Sequence, residues 1–153
     1  MFMIDTVDSK GIIRVLHVDD EPDQLKFTKL FLEKADADLQ VESASSAEEA
    51  QHLLQKRSFD CVVSDYVMSG MDGIEFAREV RRENKVPFIL YTGLGSEEVA
   101  DAAFAAGVDD YVKKEYNPSQ YEVLAKRVRV AVEKRRLTMN RGWTGTQASR
   151  RGI

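Results

Sequence analysis

The sequence has 153 residues, of which 43% are apolar and 31% are charged, and its formal net charge is −4 at pH 7. This composition is typical of one globular domain. It excludes a disordered chain and a membrane protein, which would need a run of about 18 uncharged apolar residues. The acidic balance also argues against a domain that binds nucleic acid broadly.

The two ends of the chain differ from its middle. Residues 1–11 lack a basic start followed by an apolar core, so we interpret them as an N-terminal extension and not as a secretory signal. The single cysteine, Cys61, excludes an internal disulfide, and a cytoplasmic location is the simplest expectation. No acidic residue follows Glu133, whereas six basic residues do. We expect residues 12–137 to form the domain and residues 138–153 to be a disordered basic tail.

Short apolar segments recur along the chain and predict five strands. The predicted strands are residues 12–18, 39–43, 61–64, 86–91 and 110–113. Three of these segments are almost continuously apolar, which is typical of strands that a parallel sheet buries on both faces. His17 lies inside the first segment, and we interpret it as a packed core residue and not as a ligand.

Helical patterns fill the intervals between the strands. The predicted helices are residues 22–35, 46–56, 73–83, 96–106 and 118–137. Pro22 suits the first turn of the first helix, and Ser46 with Glu49 has the spacing of a capping box. Gly107 is placed to end the fourth helix. The alternation predicts five βα units, and therefore a parallel sheet with helices on both faces.

In such sheets, ligands bind beyond the carboxyl ends of the strands. The residues at those ends are Asp19, Asp20, Glu21, Asp65, Thr92, Lys113 and Lys114. Clustered carboxylates stay ionised beside a cation, and Mg²⁺ takes one or two carboxylates together with a phosphate. A hydroxyl and an ammonium group would complete a phosphoryl-transfer site with a carboxylate as the nucleophile. Each of these residues, taken alone, could instead be a helix cap or a solvated side chain.

Four motifs at these ends together resemble a known family. They are VLHVDDE (15–21), SDYVMSGMDG (64–73), LYTG (90–93) and GVDDYVKK (107–114). The chain resembles the receiver domain of two-component response regulators, the CheY-like family, over roughly residues 13–136. The resemblance implies an α/β fold: a doubly wound, flavodoxin-like parallel sheet of five strands in the order 2-1-3-4-5.

The resemblance also implies an acceptor and a metal site. Asp65 would be the aspartate that accepts the phosphoryl group. Asp20 would be the main Mg²⁺ ligand and Asp19 would act through a water molecule. Asp65 itself and the carbonyl group of Val67 would complete the metal contacts.

Three further residues would stabilise and report the phosphoryl group. By the resemblance, Thr92 would be the switch hydroxyl, and Tyr111 the aromatic side chain that moves inward with it. Lys114, three residues after Tyr111, would pair with the phosphoryl group, and Lys113 is the less favoured lysine. The donor would be a sensor histidine kinase or a phosphotransfer protein, and the output a downstream protein partner. The domain would not be an enzyme, except that it catalyses its own phosphotransfer and dephosphorylation.

Two positions depart from the family pattern. Glu115 follows the lysine where proline is usual, and a cis bond there would cost about 3 kcal/mol, so we expect a trans bond. Ser69 replaces a common proline in the loop after Asp65. The Glu115 loop keeps one different function open: a pseudo-receiver that binds partners without phosphorylation.

The sequence also bears on what surrounds the domain. The chain could be the receiver part of a longer hybrid kinase, and no DNA-binding module is expected in the residues after Leu137. A homodimer could form if Val128, Val132 and Leu137 on the last helix pair with a second copy; alternatively, these residues pack on the sheet.

Two other classes of protein are also built on a parallel sheet and are alternatives to a receiver domain. A phosphatase of the haloacid dehalogenase type would need a second aspartate two residues after the nucleophile. A flavodoxin-like electron carrier would need a Ser/Thr/Gly-rich phosphate loop after the first strand. The sequence has neither feature.

Overall fold

Five parallel strands form the sheet. They are β1 (Ile13–Val18), β2 (Leu39–Ala44), β3 (Cys61–Ser64), β4 (Phe88–Thr92) and β5 (Asp110–Lys113). This computed structural model describes the backbone of residues 11–152 and the side chains of residues 11–139. The spatial order is β2-β1-β3-β4-β5, so the predicted fold and strand order are confirmed. Residues 1–10 of the expected N-terminal extension lie outside the described part of the chain.

Helices follow each strand, and several begin where the sequence offers a capping side chain. They are α1 (Pro22–Ala35), α2 (Ala47–Lys56), α3 (Gly73–Glu83), α4 (Glu97–Ala105) and α5 (Gln120–Gly152). The hydroxyl groups of Ser46 and Ser96 each accept a hydrogen bond from the amide three residues later. Asp72 and Glu75 form a reciprocal capping box at the start of α3. These caps satisfy amides that the first turn of a helix leaves unpaired.

Each face of the sheet carries its own apolar layer. The layer on the side of α2, α3 and α4 includes Leu16, Val18, Val62, Phe76, Phe88 and Leu90. The layer on the side of α1 and α5 includes Val15, Leu32, Val63, Ile89, Leu124 and Val128. Every residue of β3 and β4 is buried, as expected for central strands that are covered on both faces.

Two elements begin two residues later than predicted. Before α5, the side chain of Asn117 accepts hydrogen bonds from the amide and the hydroxyl of Ser119, which holds this segment in a turn until Gln120. β4 begins at Phe88 because Pro87 has no amide hydrogen to donate to a neighbouring strand.

The C-terminal end of α5 differs from the expectation. The helix continues beyond Leu137 to Gly152, so the prediction of a disordered tail over residues 138–153 is wrong for the backbone of residues 138–152. No proline follows Pro118, and a glycine inside a helix costs only about 1 kcal/mol relative to alanine. Among the described residues, no helix combines the length and apolar character that crossing a bilayer requires.

The proposed pairing stripe on α5 is also corrected. Val128 and Val132 are fully buried against the sheet, whereas Leu137 is exposed. The two valines are therefore committed to the core of the domain and are not free to contact a second copy. A homodimer remains a prediction, but not through these three side chains together.

Arg81 joins the two loops that lead into β4 and β5. Its guanidinium group donates to the carbonyl oxygens of Gly107 (2.8 Å) and Val86 (2.7 Å) and to a carboxylate oxygen of Asp109 (2.8 Å). Gly107 has a φ of +97°, and a Cβ atom there would lie 2.8 Å from Cγ of Arg81. The predicted helix-ending role of Gly107 is confirmed, and the close approach of Arg81 adds a second requirement for glycine.

Gly107→Ala should destabilise the domain, because the methyl group meets both an unfavourable φ and the Arg81 side chain. We expect a loss of about 1–3 kcal/mol in the free energy of unfolding, measured by urea denaturation. Gly11→Ala is the matched control, since a Cβ atom at Gly11 would make only an ordinary contact, 3.6 Å from Asp38. Equal effects of the two substitutions would contradict this account.

The core holds two polar atoms without a hydrogen-bond partner among the described residues. They are Nδ1 of His17 and Oγ1 of Thr28. His17 is fully buried, as predicted, and lies on the same face of β1 as Val15. Burial, followed by the positive charge of Lys114, lowers the pKa of His17 to about 3, although the negative charge of Asp65 opposes the shift. The imidazole is therefore neutral in the folded protein at neutral pH.

This burial predicts a pH dependence of stability. Below pH 6.5 the unfolded state binds a proton at His17 that the folded state does not, so His17 lowers stability progressively as the pH falls from 6.5 towards 3. His17→Leu should remove this loss. The difference in the free energy of unfolding between the variant and the wild type should therefore shift by about 2 kcal/mol in favour of the variant as the pH falls from 7 to 5. His52→Leu, on an exposed position of α2, serves as the control and should leave the profile unchanged.

Candidate functional site

Polar side chains from the carboxyl ends of the strands line one cavity. The cavity has a volume of about 540 Å³, and its lining includes Asp20, Asp65, Thr92 and Lys114. The strand register explains the grouping, because Val18 pairs with Ser64 and Thr92 pairs with Lys113. The residues that follow these strands therefore reach the same edge of the sheet.

The Lys114 ammonium group lies between two carboxylates at the centre of the site. Its Nζ atom is 3.3 Å from Oδ2 of Asp19 and 3.4 Å from Oδ2 of Asp65. The side chains of Lys114, Asp19 and Asp65 are 13%, 0% and 16% exposed, so water screens their charges poorly. The amide of Lys114 also donates to the carbonyl oxygen of Thr92, which fixes its backbone. Lys113, on the exposed side of β5, contacts neither carboxylate.

Asp19 and Asp65 are each held by a backbone amide. Oδ1 of Asp19 accepts from the amide of Glu21 at 3.0 Å, and Oδ1 of Asp65 accepts from the amide of Tyr66 at 2.7 Å. Neither Asp19 nor Asp20 caps α1, because Glu21 occupies the N-cap position of that helix and no side chain caps it. The helix-cap interpretation of these two aspartates is therefore wrong.

Asp20 is tied to the loop that follows β3. Its Oδ2 atom accepts hydrogen bonds from both the amide (2.8 Å) and the hydroxyl (3.1 Å) of Ser69. A proline at position 69 could donate neither bond. Ser69 thus orients an aspartate of the site. The sequence shows that serine replaces the usual proline here, but it does not predict this role.

Thr92 and Tyr111 both contact the loop that follows β4. Oγ1 of Thr92, which is buried, accepts from the amide of Leu94 at 3.1 Å and approaches its carbonyl oxygen at 3.3 Å. The hydroxyl of Tyr111 stands where a Cβ atom of Gly95 would be, 1.4 Å from that position. Glycine at position 95 therefore leaves room for an inward Tyr111.

The residues at this edge suit Mg²⁺. Within the described side chains, no group of three or more His, Cys, Asp or Glu residues could hold a metal ion by itself. Mg²⁺ needs fewer protein ligands, since it keeps several waters and takes one or two carboxylates. Asp20 and Asp65 share the cavity with Val67, whose backbone carbonyl is a further oxygen donor. This donor set is compatible with Mg²⁺.

Gly73 allows α3 to pack directly on Asp65. A Cβ atom at Gly73 would lie 2.1 Å from the carbonyl oxygen of Asp65 and 2.8 Å from Leu90. The amide of Gly73 donates to the carbonyl oxygen of Tyr66, which closes the loop. The sequence marked Gly73 only as a helix start, because close packing between distant segments leaves no local signal.

Tyr91 is a second residue that sequence reasoning missed. Its ring is buried, and the Nζ atom of Lys114 lies 5.3 Å from the ring centroid. Its hydroxyl donates to Oε1 of Gln120 at 2.5 Å. Its place in an apolar strand suggested only a core residue.

The residue directly after Lys114 is Glu115 and not proline, and the bond between them is trans. All peptide bonds of the described residues are trans, as expected for Glu115. Tyr116 follows it and is almost fully exposed at the rim of the cavity.

Comparisons with known proteins agree with this architecture. Residues 15–127 match the family profile described as the response regulator receiver domain. The chain is 31% identical over 106 residues to the transcriptional regulatory protein SrrA of Staphylococcus aureus. This match covers 69% of the chain and 43% of SrrA, so the chain spans less than half the length of that curated relative.

Solved structures give the same result. The chemotaxis response regulator CheY4 of Vibrio cholerae is 30% identical, with a TM-score of 0.69, over 76% of this chain and 98% of that one. The response regulator TrrA of Thermotoga maritima, solved in complex with Mg²⁺-BeF, is also 30% identical, with a TM-score of 0.66. That match covers 76% of this chain and 99% of TrrA. With its five-stranded sheet and the profile match over most of its length, the chain belongs to the response regulator receiver domain family.

Proposed function

We propose that this receiver domain accepts a phosphoryl group on Asp65 from a phosphohistidine of a sensor histidine kinase or a phosphotransfer protein. The observation that carries the proposal is the Lys114 ammonium group, poised between Asp65 and Asp19 at the edge of a buried sheet. A poorly screened cation in this position can stabilise the negative charge of a transferring phosphoryl group.

Asp65 is better placed than Asp19 to be the nucleophile. Asp65 is partly exposed and lines the cavity, whereas the side chain of Asp19 is fully buried. In the transfer, a carboxylate oxygen of Asp65 attacks phosphorus. The bond from phosphorus to the donor's imidazole nitrogen breaks, and its electron pair stays on that nitrogen.

The metal would be held by Asp20, by Asp65, by the carbonyl group of Val67 and, through water, by Asp19. When bound, Mg²⁺ would neutralise charge on the oxygens of the transferred group. Ser69 would keep Asp20 oriented towards this site through its two hydrogen bonds.

The domain would reset itself by hydrolysis. A water molecule attacks phosphorus, the bond to the Asp65 oxygen breaks, and inorganic phosphate leaves as the carboxylate re-forms. Lys114 would stabilise the transition state of this hydrolysis as well. The domain would thus catalyse a reaction of its own phosphoryl group and not of an external substrate.

Thr92 and Tyr111 would transmit the effect of phosphorylation from Asp65 to the surface of the domain. The Thr92 hydroxyl, whose hydrogen bonds among the described residues are only to Leu94, would turn to the phosphoryl oxygens. Tyr111, which already lies against Gly95 of that loop, would respond to the movement. The surface formed by α4, β5 and α5 would then bind a downstream protein.

The comparison with SrrA favours one wider context. Because the chain spans 43% of that transcriptional regulatory protein, we propose that its receiver function could serve a longer regulator with a separate output domain. A hybrid kinase is another such context. A phosphorylation-independent pseudo-receiver is the second candidate function, and the Glu115 loop is the observation that favours it.

The first test is phosphorylation by acetyl phosphate in the presence of Mg²⁺. Intact mass should show one added phosphoryl group on the wild type and none on Asp65→Asn. Asp101→Asn, on the exposed side of α4, is the matched control and should label like the wild type. Labelling of Asp65→Asn would contradict the assignment, and a folded wild type that stays unlabelled would favour the pseudo-receiver.

The metal assignment predicts a separate defect. Asp20→Asn should weaken Mg²⁺ binding, measured by isothermal titration calorimetry, by about tenfold or more, because it removes a charged oxygen ligand. Asp23→Asn, in the exposed first turn of α1, should leave the dissociation constant unchanged. If both variants bind Mg²⁺ as the wild type does, Asp20 is not a ligand.

A further inference from the structure

Lys114 has a third neighbour besides the two carboxylates. The Tyr91 ring, only 1% exposed, presents its face to the ammonium group at 5.3 Å from the centroid. An ammonium group within about 6 Å of an aromatic centroid is attracted by the negative face of the ring, and more strongly where water is excluded. Lys114 is itself only 13% exposed, so this contact lies in a water-poor environment.

The ring is fixed at its far end. The Tyr91 hydroxyl donates to Oε1 of Gln120, the first residue of α5, at 2.5 Å. Burial raises the pKa of this hydroxyl well above its usual range, so it stays protonated as a donor. The aromatic plane is therefore held between the strand that ends at Thr92 and the start of α5.

We propose that Tyr91 is a positioning residue for Lys114: its ring face holds the ammonium group in the bridging place between Asp19 and Asp65. This inference rests on the proposed function, since a positioned Lys114 matters for charge stabilisation at Asp65. It concerns the ring and not the hydroxyl, which acts only by orienting the ring through Gln120.

The physical need for such a group follows from the lysine side chain. Lysine carries its charge on a flexible stem of four carbons, and ordering that stem costs conformational entropy. Two carboxylates at 3.3 and 3.4 Å attract the ammonium group but leave it free to move towards either one. The Tyr91 face adds a third contact that favours the position between them.

The contact can be tested without phosphorylation. In NMR spectra of the unphosphorylated protein with ¹³C-labelled lysine, the ε-methylene protons of Lys114 should be shifted upfield by the ring, and Lys114→Arg identifies the signal. The upfield shift should persist in Tyr91→Phe and disappear in Tyr91→Leu. Persistence in a folded Tyr91→Leu variant would overturn the proposal.

The functional consequence is tested by the rate of labelling with acetyl phosphate at saturating Mg²⁺. Tyr91→Phe should label within about threefold of the wild type, and Tyr91→Leu about tenfold more slowly than Tyr91→Phe. Equal rates for the two variants would show that the ring face does not assist Lys114.

A further variant separates ring electrostatics from packing. Pentafluorophenylalanine at position 91 keeps the shape of phenylalanine but reverses the charge on the ring face, so it should label as slowly as Tyr91→Leu even if the latter folds poorly. Labelling as fast as Tyr91→Phe would overturn the proposal. A wild type that shows the Lys114 shift but no labelling would count against the proposed function while leaving the contact intact.

Discussion

The site depends on one buried cation shared by two anions. Without Lys114, the carboxylates of Asp19 and Asp65 would repel each other with no cation between them, in a poorly solvated part of the protein. With it, the cluster holds one positive charge near two negative charges, which leaves a local excess of negative charge. That excess suits a divalent metal ion, and the ammonium group suits the oxygens of a phosphoryl group. A single ion-pair arrangement thus compensates these charges and suits both partners of the proposed chemistry.

Much of the fold could be predicted because its signals are local. The apolar strands, Pro22, the capping serines and Gly107 each act through residues within a few positions, and the structure places the strand ends within two residues of the predicted ones. The rule that ligands bind beyond the carboxyl ends of parallel strands then located the cavity. The choice of Lys114 over Lys113 came from the resemblance, and it matches the lysine that reaches the carboxylates.

The features that sequence reasoning missed depend on contacts between distant segments. The bond from Ser69 to Asp20 spans 49 positions and that from Tyr91 to Gln120 spans 29. Neither residue type signals such a partner, since serine suits any loop and tyrosine suits any half-buried strand. The length of α5 was missed because a local signal was misleading. Its glycines and hydroxyl residues favoured an irregular tail, but weak helix propensities alone do not end a helix.

Two glycines let neighbouring elements pack directly on each other beside the candidate site. Because no side chain separates α3 from the carbonyl group of Asp65, the backbone of the proposed acceptor rests directly on a helix at Gly73. In the loop after β4, the absence of a side chain at Gly95 lets the Tyr111 hydroxyl lie where a Cβ atom would be, so β5 packs directly on that loop. Any larger residue at either position would have to separate two elements. The proposed acceptor and the proposed switch residues are thus each coupled to a neighbouring element through a glycine.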